Sequence, residues 1–512
     1  MTDSERFDVV VVGAGPVGCT AAALAARHGL RCLLVDESTE VFALPRAIHF
    51  DADAMRIFQF AGLADDAAAV ARATTGGVHL GVDGEPIRMF RVPDAPGDLG
   101  WRPHYMMFQP TFDVMLRASA ASRPEVDARF GWRCEEVREE GDLVRVTLRD
   151  PDGAETSVAA SFVIAADGAS SPTRKALGIG LDDYGFDEPW IVVDVDVPSD
   201  DLGPDHTIMY CDPARPATYI PGPGRHRRWE FYLLPGETGE ELSAEPEIKR
   251  LIAGVTPWLD VDTIEIMRSA VYRFHALVAE RWRAGRVFLA GDAAHQTPPF
   301  YGQGMCHGLR DVRNVMWKIA AVLEGRIGTE LLDTYQTERE PHVRAVLEAA
   351  VANGRYICTL DPELAAQRDI DLRARMGEGK DVRSFRAVIP GLTAGLLDPE
   401  PGSEAVGLLF VQPPMTGAML DDLLGDDWAL VTRVAADADR PLGGEPVSVV
   451  LADDGLADDG TLREWFEAFG CVAALVRPDR YVFGTAATVE EIPALLARAA
   501  QQLPSPEAHA VA

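Results

Sequence analysis

Two short stretches of this chain could act on a phosphorylated, redox-active ligand. The first is Gly13-Ala14-Gly15-Pro16-Val17-Gly18, which follows the apolar run Phe7–Val12 and leads into an alanine-rich segment. Glycine at its first position permits a tight turn. At the second it lets backbone approach a pyrophosphate, and at the third it lets a helix pack closely on a strand. The N–H groups and positive dipole end of such a helix suit phosphates. Asp36, with Glu37 beside it, ends the next strand, where an acid hydrogen-bonds ribose hydroxyls and disfavours a 2′-phosphate. The second stretch is Gly291-Asp292-Ala293-Ala294-His295, continued by Pro298-Pro299-Phe300-Tyr301-Gly302-Gln303-Gly304-Met305. A carboxylate at a strand end can hold sugar-alcohol hydroxyls. A glycine loop at a helix start presents N–H groups to a ring carbonyl that gains negative charge on reduction. The first motif alone does not separate one dinucleotide from another; the second points to a flavin. A third piece, Ala165-Ala166-Asp167-Gly168, follows the strand Phe162–Ile164, and Asp167 there can anchor backbone or pyrophosphate geometry.

The elements that must position these residues read as a βαβ unit over 7–37. It comprises a strand Phe7–Val12, a helix Cys19–His28 closed by Gly29, and a strand at Leu33–Val35. A run such as Val9–Val12, apolar at every position, suits a parallel sheet covered on both faces. Around 76–105 and 185–275 the texture becomes alternating, as in Trp190–Val197 and Arg228–Leu233, with Pro/Gly turns such as Ile220–Gly224. These segments read as an inserted antiparallel sheet. A strand Arg286–Ala290 precedes the second glycine loop, and a helix is expected from about Gly308 to Glu324. From about 395 onward, Trp428–Arg433, Val447–Leu451 and Val472–Val476 read as strands of a third unit, with a frayed tail after Leu503.

The 512 residues call for two or three domains, and 47% apolar with 25% charged residues is ordinary for a globular enzyme. A net charge of -32 argues against nucleic acid or an anionic membrane as partner. Seven cysteines without a Cys-x-x-Cys pair argue against a disulfide framework or a metal site, and a reducing cytoplasmic setting is expected. The acidic start carries no signal-peptide pattern, and the uncharged run Val9–Ala26 splits better into strand, turn and helix than into a membrane span. Nucleophilic-serine, P-loop and zinc-protease motifs are absent from the sequence.

With these motifs together, the chain resembles the class A FAD-dependent aromatic hydroxylases, the p-hydroxybenzoate hydroxylase-like family. The likeness extends over about residues 1–350. Within the family it is strongest to the branch acting on 3-(3-hydroxyphenyl)propionate, through Pro45-Arg46-Ala47-Ile48, Trp190–Asp194, Cys211–Pro216, Pro235–Thr238, Arg310-Asp311 and Val476–Val482. The resemblance implies an α/β fold. A Rossmann-like FAD domain of glutathione reductase type would take 1–75, 106–184 and 276–394, an antiparallel-sheet substrate domain 76–105 and 185–275, and a thioredoxin-like domain without redox cysteines 395–505. It implies FAD as cofactor, with Arg46 by the pyrophosphate or ring edge, Gln109 near the ribityl chain and Asp292 on its hydroxyls. Pro298 and Gly302–Met305 would line the ring. It implies NADH or NADPH and O2 as co-substrates, a small phenol (3-(3-hydroxyphenyl)propionate or 3-hydroxycinnamate, giving the 2,3-dihydroxy product) as substrate, no metal, and leaves a homodimer open. His49 and Cys306 depart from the family pattern, which carries glycine and asparagine there.

A phenolate attacks an electrophilic oxygen better than a phenol, so a nearby base would help. His49, Tyr210, Tyr219 and Tyr301 are the candidates, with His226 behind them; Arg215 and Arg228 could bind a substrate carboxylate. Arg227 and Arg228 adjoin on a strand and should point to opposite faces. Two other readings stay open: a hydroxylase of a polyketide or antibiotic aromatic, and a non-catalytic flavin- or NAD-binding protein.

Overall fold

The computed structural model describes residues 5–44, 46–198, 202–377, 389–400, 402–415, 417–436, 441–445, 447–451 and 460–506. Pro45 and residues 507–512 of the expected frayed tail lie outside them. The apolar runs build one eight-stranded sheet whose parallel centre has the order Val287–Leu289, Glu155–Ala165, Arg6–Val12, Cys32–Asp36, Val126–Phe130. Val9 and Val11 enter one core cluster while Val10 and Val12 enter another, so both faces are covered and the strand needs no polar alternation. Leu143–Arg149 and Arg133–Glu140 extend this sheet antiparallel from Glu155–Ala165.

The first helix runs Pro16–Arg27, three residues earlier than expected, because proline fits the first helical position, where its missing N–H costs nothing. Its alanines are buried, and their small side chains allow close packing. The long helix is Gly304–Leu323 and nearly all of it is buried. It starts four residues before the expected Gly308. Met305, Cys306 and His307 are drawn into the core, and that burial outweighs the weak helix propensity of the glycines.

A second eight-stranded sheet has the order His295–Gln296, Glu265–Ala279, Leu181–Asp196, His226–Tyr232, Ala217–Pro221, Thr207–Tyr210, Gly76–Leu80, Pro86–Arg91. All its pairings are antiparallel except Thr207–Tyr210 with Gly76–Leu80. Its two longest strands, Leu181–Asp196 and Glu265–Ala279, run unbroken through the expected junctions at 184/185 and 275/276. His49–Asp51, His104–Met107 and Ala71–Ala73 form a separate small antiparallel sheet.

Past residue 395, the strands Ser448–Leu451, Ala429–Thr432, Ala473–Val476 and Val482–Ala486 form a four-stranded sheet. It is joined to the rest by a wholly buried ionic cluster. Lys318 Nζ and Arg477 Nη2 each lie 2.7 Å from Glu338 Oε2, and Asn314 and Arg477 both donate to Asp479. Among the described residues no helix is long and apolar enough to cross a membrane.

Candidate cofactor and substrate site

The two glycine motifs, far apart in sequence, meet in space. A Cβ added to Gly291 would lie 3.0 Å from Val17 Cγ2, and one added to Gly308 would lie 2.4 Å from that same atom. The turn after the first strand is equally tight: Gly13, at φ +100°, would place a Cβ 2.3 Å from the Ala166 carbonyl oxygen, so only glycine fits. Gly15, by contrast, faces open space within 4 Å, as does Gly304. A backbone that is crowded behind and open in front, at a helix start, has the shape and the free N–H groups to accept a phosphate.

Asp36 is anchored beside that cradle. It accepts from Ala14 N at 2.7 Å and Ser38 N at 2.8 Å, and Arg117 stands 3.2 Å from Oδ1. Glu37 is exposed next to it. Asp167 accepts from Ser171 Oγ and Thr173 N, fixing the loop that Gly13 abuts. Asp292 is half-buried, and Arg46 donates to its Oδ2 at 2.7 Å.

Gln109 is buried; it donates to Asp113 Oδ2 at 3.2 Å, while its own Oε1 and Asp113 Oδ1 have no partner among the described residues. Burial pushes the Asp113 carboxyl up to about 6. Orphaned buried polar atoms are rare in folded proteins and here accompany a phosphate cradle and a strand-end acid. This donor and acceptor set fits a flavin dinucleotide.

The ring-side loop is held from behind. Gly302, at φ +62°, packs against the His49 ring, where a Cβ would lie 2.6 Å from Nδ1. His49 Nδ1 stands 3.1 Å from the Gly302 carbonyl and Nε2 stands 2.9 Å from His104 Nδ1. Both ring nitrogens of His49 are thus engaged; burial lowers its pKa and brings that of His104 to about 3. The side chain of Gln303 turns inward to Asp51 and Arg310, leaving its backbone to line the loop. Arg310 also grips Asp51 and Asp53 at 2.6 Å each. Pro298 and Met305 are buried, and Tyr301 is half-buried in the loop itself.

The other expected residues lie elsewhere. Tyr210 and Tyr219 belong to the core on the far face of the substrate sheet. Their hydroxyls are bound by the carbonyls of Val255 and of Leu202 and Pro204, and burial pushes both phenols up to about 12. The structure does not bring them to the loop. Arg215 is paired with Glu237. Arg227 and Arg228 point to opposite faces, as alternation requires. Arg227 binds backbone carbonyls, whereas Arg228 makes a two-pronged pair with Asp194 at 2.8 and 3.1 Å.

Asp194 was not among the expected site residues. Burial opposes its ionisation, yet the Arg228 guanidinium and hydrogen bonds from His226 and Arg228 hold its carboxyl well below the usual range. Arg268 completes the cluster at 2.6 Å. Arg228 and Arg268 then donate to the carbonyls of Arg46 and Ala43, so the substrate sheet grips the loop that carries Arg46. A lone acid inside the apolar run Ile191–Val195 was the available signal, since a buried carboxylate demands a cation.

A family model described as an FAD binding domain matches residues 6–350. A probable NADH-specific resorcinol 4-hydroxylase of Rhodococcus jostii (strain RHA1) is 36% identical, covering 96% of this chain and 94% of its own. A 3-(3-hydroxy-phenyl)propionate/3-hydroxycinnamic acid hydroxylase of Burkholderia cenocepacia (strain HI2424) is 34% identical over 93% of each. Among solved structures, aklavinone-11 hydroxylase in complex with FAD and aklavinone matches with a TM-score of 0.76 at 26% identity, covering 98% of this chain and 100% of the other. The rebeccamycin biosynthetic enzyme RebC with reduced flavin shares the fold, with a TM-score of 0.79 at 23% identity over 97% and 100%.

Proposed function

The chain belongs to the FAD-binding family of flavin monooxygenases, and from that membership we propose that it hydroxylates a phenolic ring, using NADH and O2. One observation carries the reading: Val17 of the phosphate cradle packs on Gly291 and on Gly308, so the cradle and the strand-end acid serve one ligand. In this reading Gly13, Ala14, Gly15, Pro16, Val17 and Gly18 receive the pyrophosphate. Asp36, with Glu37 beside it, takes the ribose, and Asp167 fixes the adjoining turn. Arg46 and Gln109 border the middle of the ligand. Gly291 and Asp292 take the ribityl hydroxyls, and Pro298 with Gly302–Met305 lines the ring.

Bound FAD would supply hydride acceptance from NADH and activation of O2. The chain's own residues hold it, exclude water and orient the phenol. His49 holds the loop through Gly302 and His104, and Tyr301 directly precedes the first ring-lining glycine. The units 1–75/106–184/276–394, 76–105/185–275 and 395–505 act as cofactor, substrate and buttressing parts. The cytoplasm, where NADH is supplied, suits the reaction.

Relatives are named for 3-(3-hydroxyphenyl)propionate, 3-hydroxycinnamate and resorcinol, all single-ring phenols, and a ring of that size is proposed here. The purified protein is expected to be yellow and to oxidise NADH faster in the presence of one of these phenols, releasing a product with one more hydroxyl. A protein without flavin, or one that makes only peroxide with every phenol, contradicts the proposal. Selective turnover of a polycyclic aromatic would reassign it to the tailoring enzymes.

A further inference from the structure

Cations gather around the Phe60 ring, where the helices Pro16–Arg27 and Gly304–Leu323 meet the unit past residue 395. The guanidinium carbon of Arg313 lies 3.4 Å from the ring centroid, that of Arg27 5.3 Å and that of Arg480 5.9 Å. The His28 ring stands 5.9 Å away. An aromatic face attracts cations, but it carries no net charge to cancel theirs.

The carboxylates nearby fall short of that charge. Asp426 takes Arg27 in a two-pronged pair, and Asp421 is shared by Arg56 and Arg480. Asp479 is taken by Arg477 and Asn314, while Asp422 accepts from Gln59 and from the Met419 N–H. Arg313 donates to the Pro478 carbonyl and makes no ion pair among the described residues. Arg313 Nη1, Arg480 Nη1 and His28 Nε2 are buried without a hydrogen-bond partner among the described residues. The two arginines are 5% and 3% exposed. Buried charged donors are costly unless an acceptor meets them.

Two further features point the same way. Arg480, at φ +74°, is the one non-glycine residue with a positive φ among the described residues. That strained conformation is kept in the turn from which its guanidinium enters the cluster. Burial, and after it the Arg313 charge, pushes the His28 imidazole down to about 4, the response expected beside uncancelled positive charge. We propose that Arg313 and Arg480, with His28, bind a small inorganic anion, a halide or a tetrahedral oxyanion, at the seam between the long helix and the C-terminal unit. The anion accepts from Arg313 Nη1 and Arg480 Nη1 and supplies the charge that Asp421 and Asp426 do not. Arg313 belongs to the helix Gly304–Leu323 and Arg480 to the unit past residue 395, so the ion fastens one to the other. Bound only by the folded protein, it raises stability as its concentration rises. His28 caps the far end of the 12-residue helix Pro16–Arg27, roughly 18 Å from the first turn that faces the cofactor phosphates. The site is therefore separate from the flavin site and independent of the hydroxylase reading.

The test uses the FAD-loaded protein. Its melting temperature is followed while chloride, or in a second series phosphate, replaces the bulky anion gluconate at fixed pH and ionic strength, so that general screening stays constant. The melting temperature should rise by a few degrees and level off. A rise with chloride assigns the site to halides, and a rise with phosphate to oxyanions. Arg313→Met, which keeps the length and removes the charge, should abolish the rise with FAD content unchanged. Where that variant does not fold, crystals of the wild type grown with bromide, and others with selenate, decide: one of the two ions should give an anomalous peak within hydrogen-bond reach of Arg313 Nη1. Melting temperatures indifferent to both anions, a rise that persists in Arg313→Met, or no peak at this position with either ion overturns the proposal.

Discussion

Asp292 has Arg46 on one oxygen and stands half-exposed, which leaves its other oxygen for a ligand hydroxyl. A hydrogen bond to a charged group contributes about 1.5–3 kcal/mol. Asp292→Ala should therefore weaken FAD binding roughly 10- to 100-fold, read as a lower flavin-to-protein absorbance ratio after dilution; full FAD retention would count against its role. A pH effect arises from histidines buried neutral. Burial lowers His28 to about 4 and His79 and His104 to about 3, against an ordinary value of 6.5. The unfolded chain binds protons that these folded-state rings refuse. Their stabilising contribution is thus present above pH 6.5 and declines as pH falls toward 3. Urea midpoints measured from pH 7.5 down to 5 should fall steadily; a rise on acidification would contradict this. The glycines, Asp36 and Asp292 were legible because each answers to a backbone or ligand need visible in local sequence. His104 was not, because cross-strand register alone brings it to His49.

At the level of elements, the ring-side loop depends on a left-handed glycine pressed against a histidine. Gly302→Ala imposes a strained backbone, about 1–2 kcal/mol, together with a Cβ 2.6 Å from His49 Nδ1. The fold should survive with a melting temperature within a few degrees of wild type, while the displaced loop couples NADH oxidation to hydroxylation less tightly. More peroxide per NADH would be the signature, and unchanged coupling would argue against the loop's role. The strand pair around Asp194 is less forgiving. Asp194→Asn removes the carboxylate that Arg228 and Arg268 share and leaves the two cations only Glu230, 3.8 Å from Arg228, as counter-charge; an under-compensated buried charge of this kind costs about 3–5 kcal/mol, measurable by urea unfolding. The strands and helices that flank the two glycine loops were readable from apolar runs and glycine punctuation, whereas the parallel strand Val126–Phe130 and the 24-residue helix Thr334–Ile357 were not. The start of the helix at Gly304 was not, because burial of Met305 to His307 decides it.

In the whole molecule, the unit past residue 395 is fastened by charges that carry no apolar signature. Glu338 sits in the sequence Thr337-Glu338-Arg339-Glu340, which reads as a solvated helix face, yet it is buried between Lys318 and Arg477. The third unit was therefore visible as strands, while its attachment was not. Glu338→Ala should cost about 3–5 kcal/mol, because it leaves two cations buried with less compensation. It should also split thermal unfolding into two transitions, whereas a single transition at the wild-type temperature would show that the cluster does not fasten the unit. The same long helix carries Lys318 at one end and the ring-side glycine loop at the other, so cofactor and buttress share one scaffold.

One flavin, gripped by two distant segments, should place an oxygen atom from O2 on a phenolic ring. The most direct measurement is mass analysis of the product formed from resorcinol, NADH and 18O2 by the FAD-loaded protein. The expected product is a benzenetriol carrying one 18O atom, formed in step with NADH oxidation. A product carrying no label, or NADH consumed without any hydroxylated ring, would contradict it.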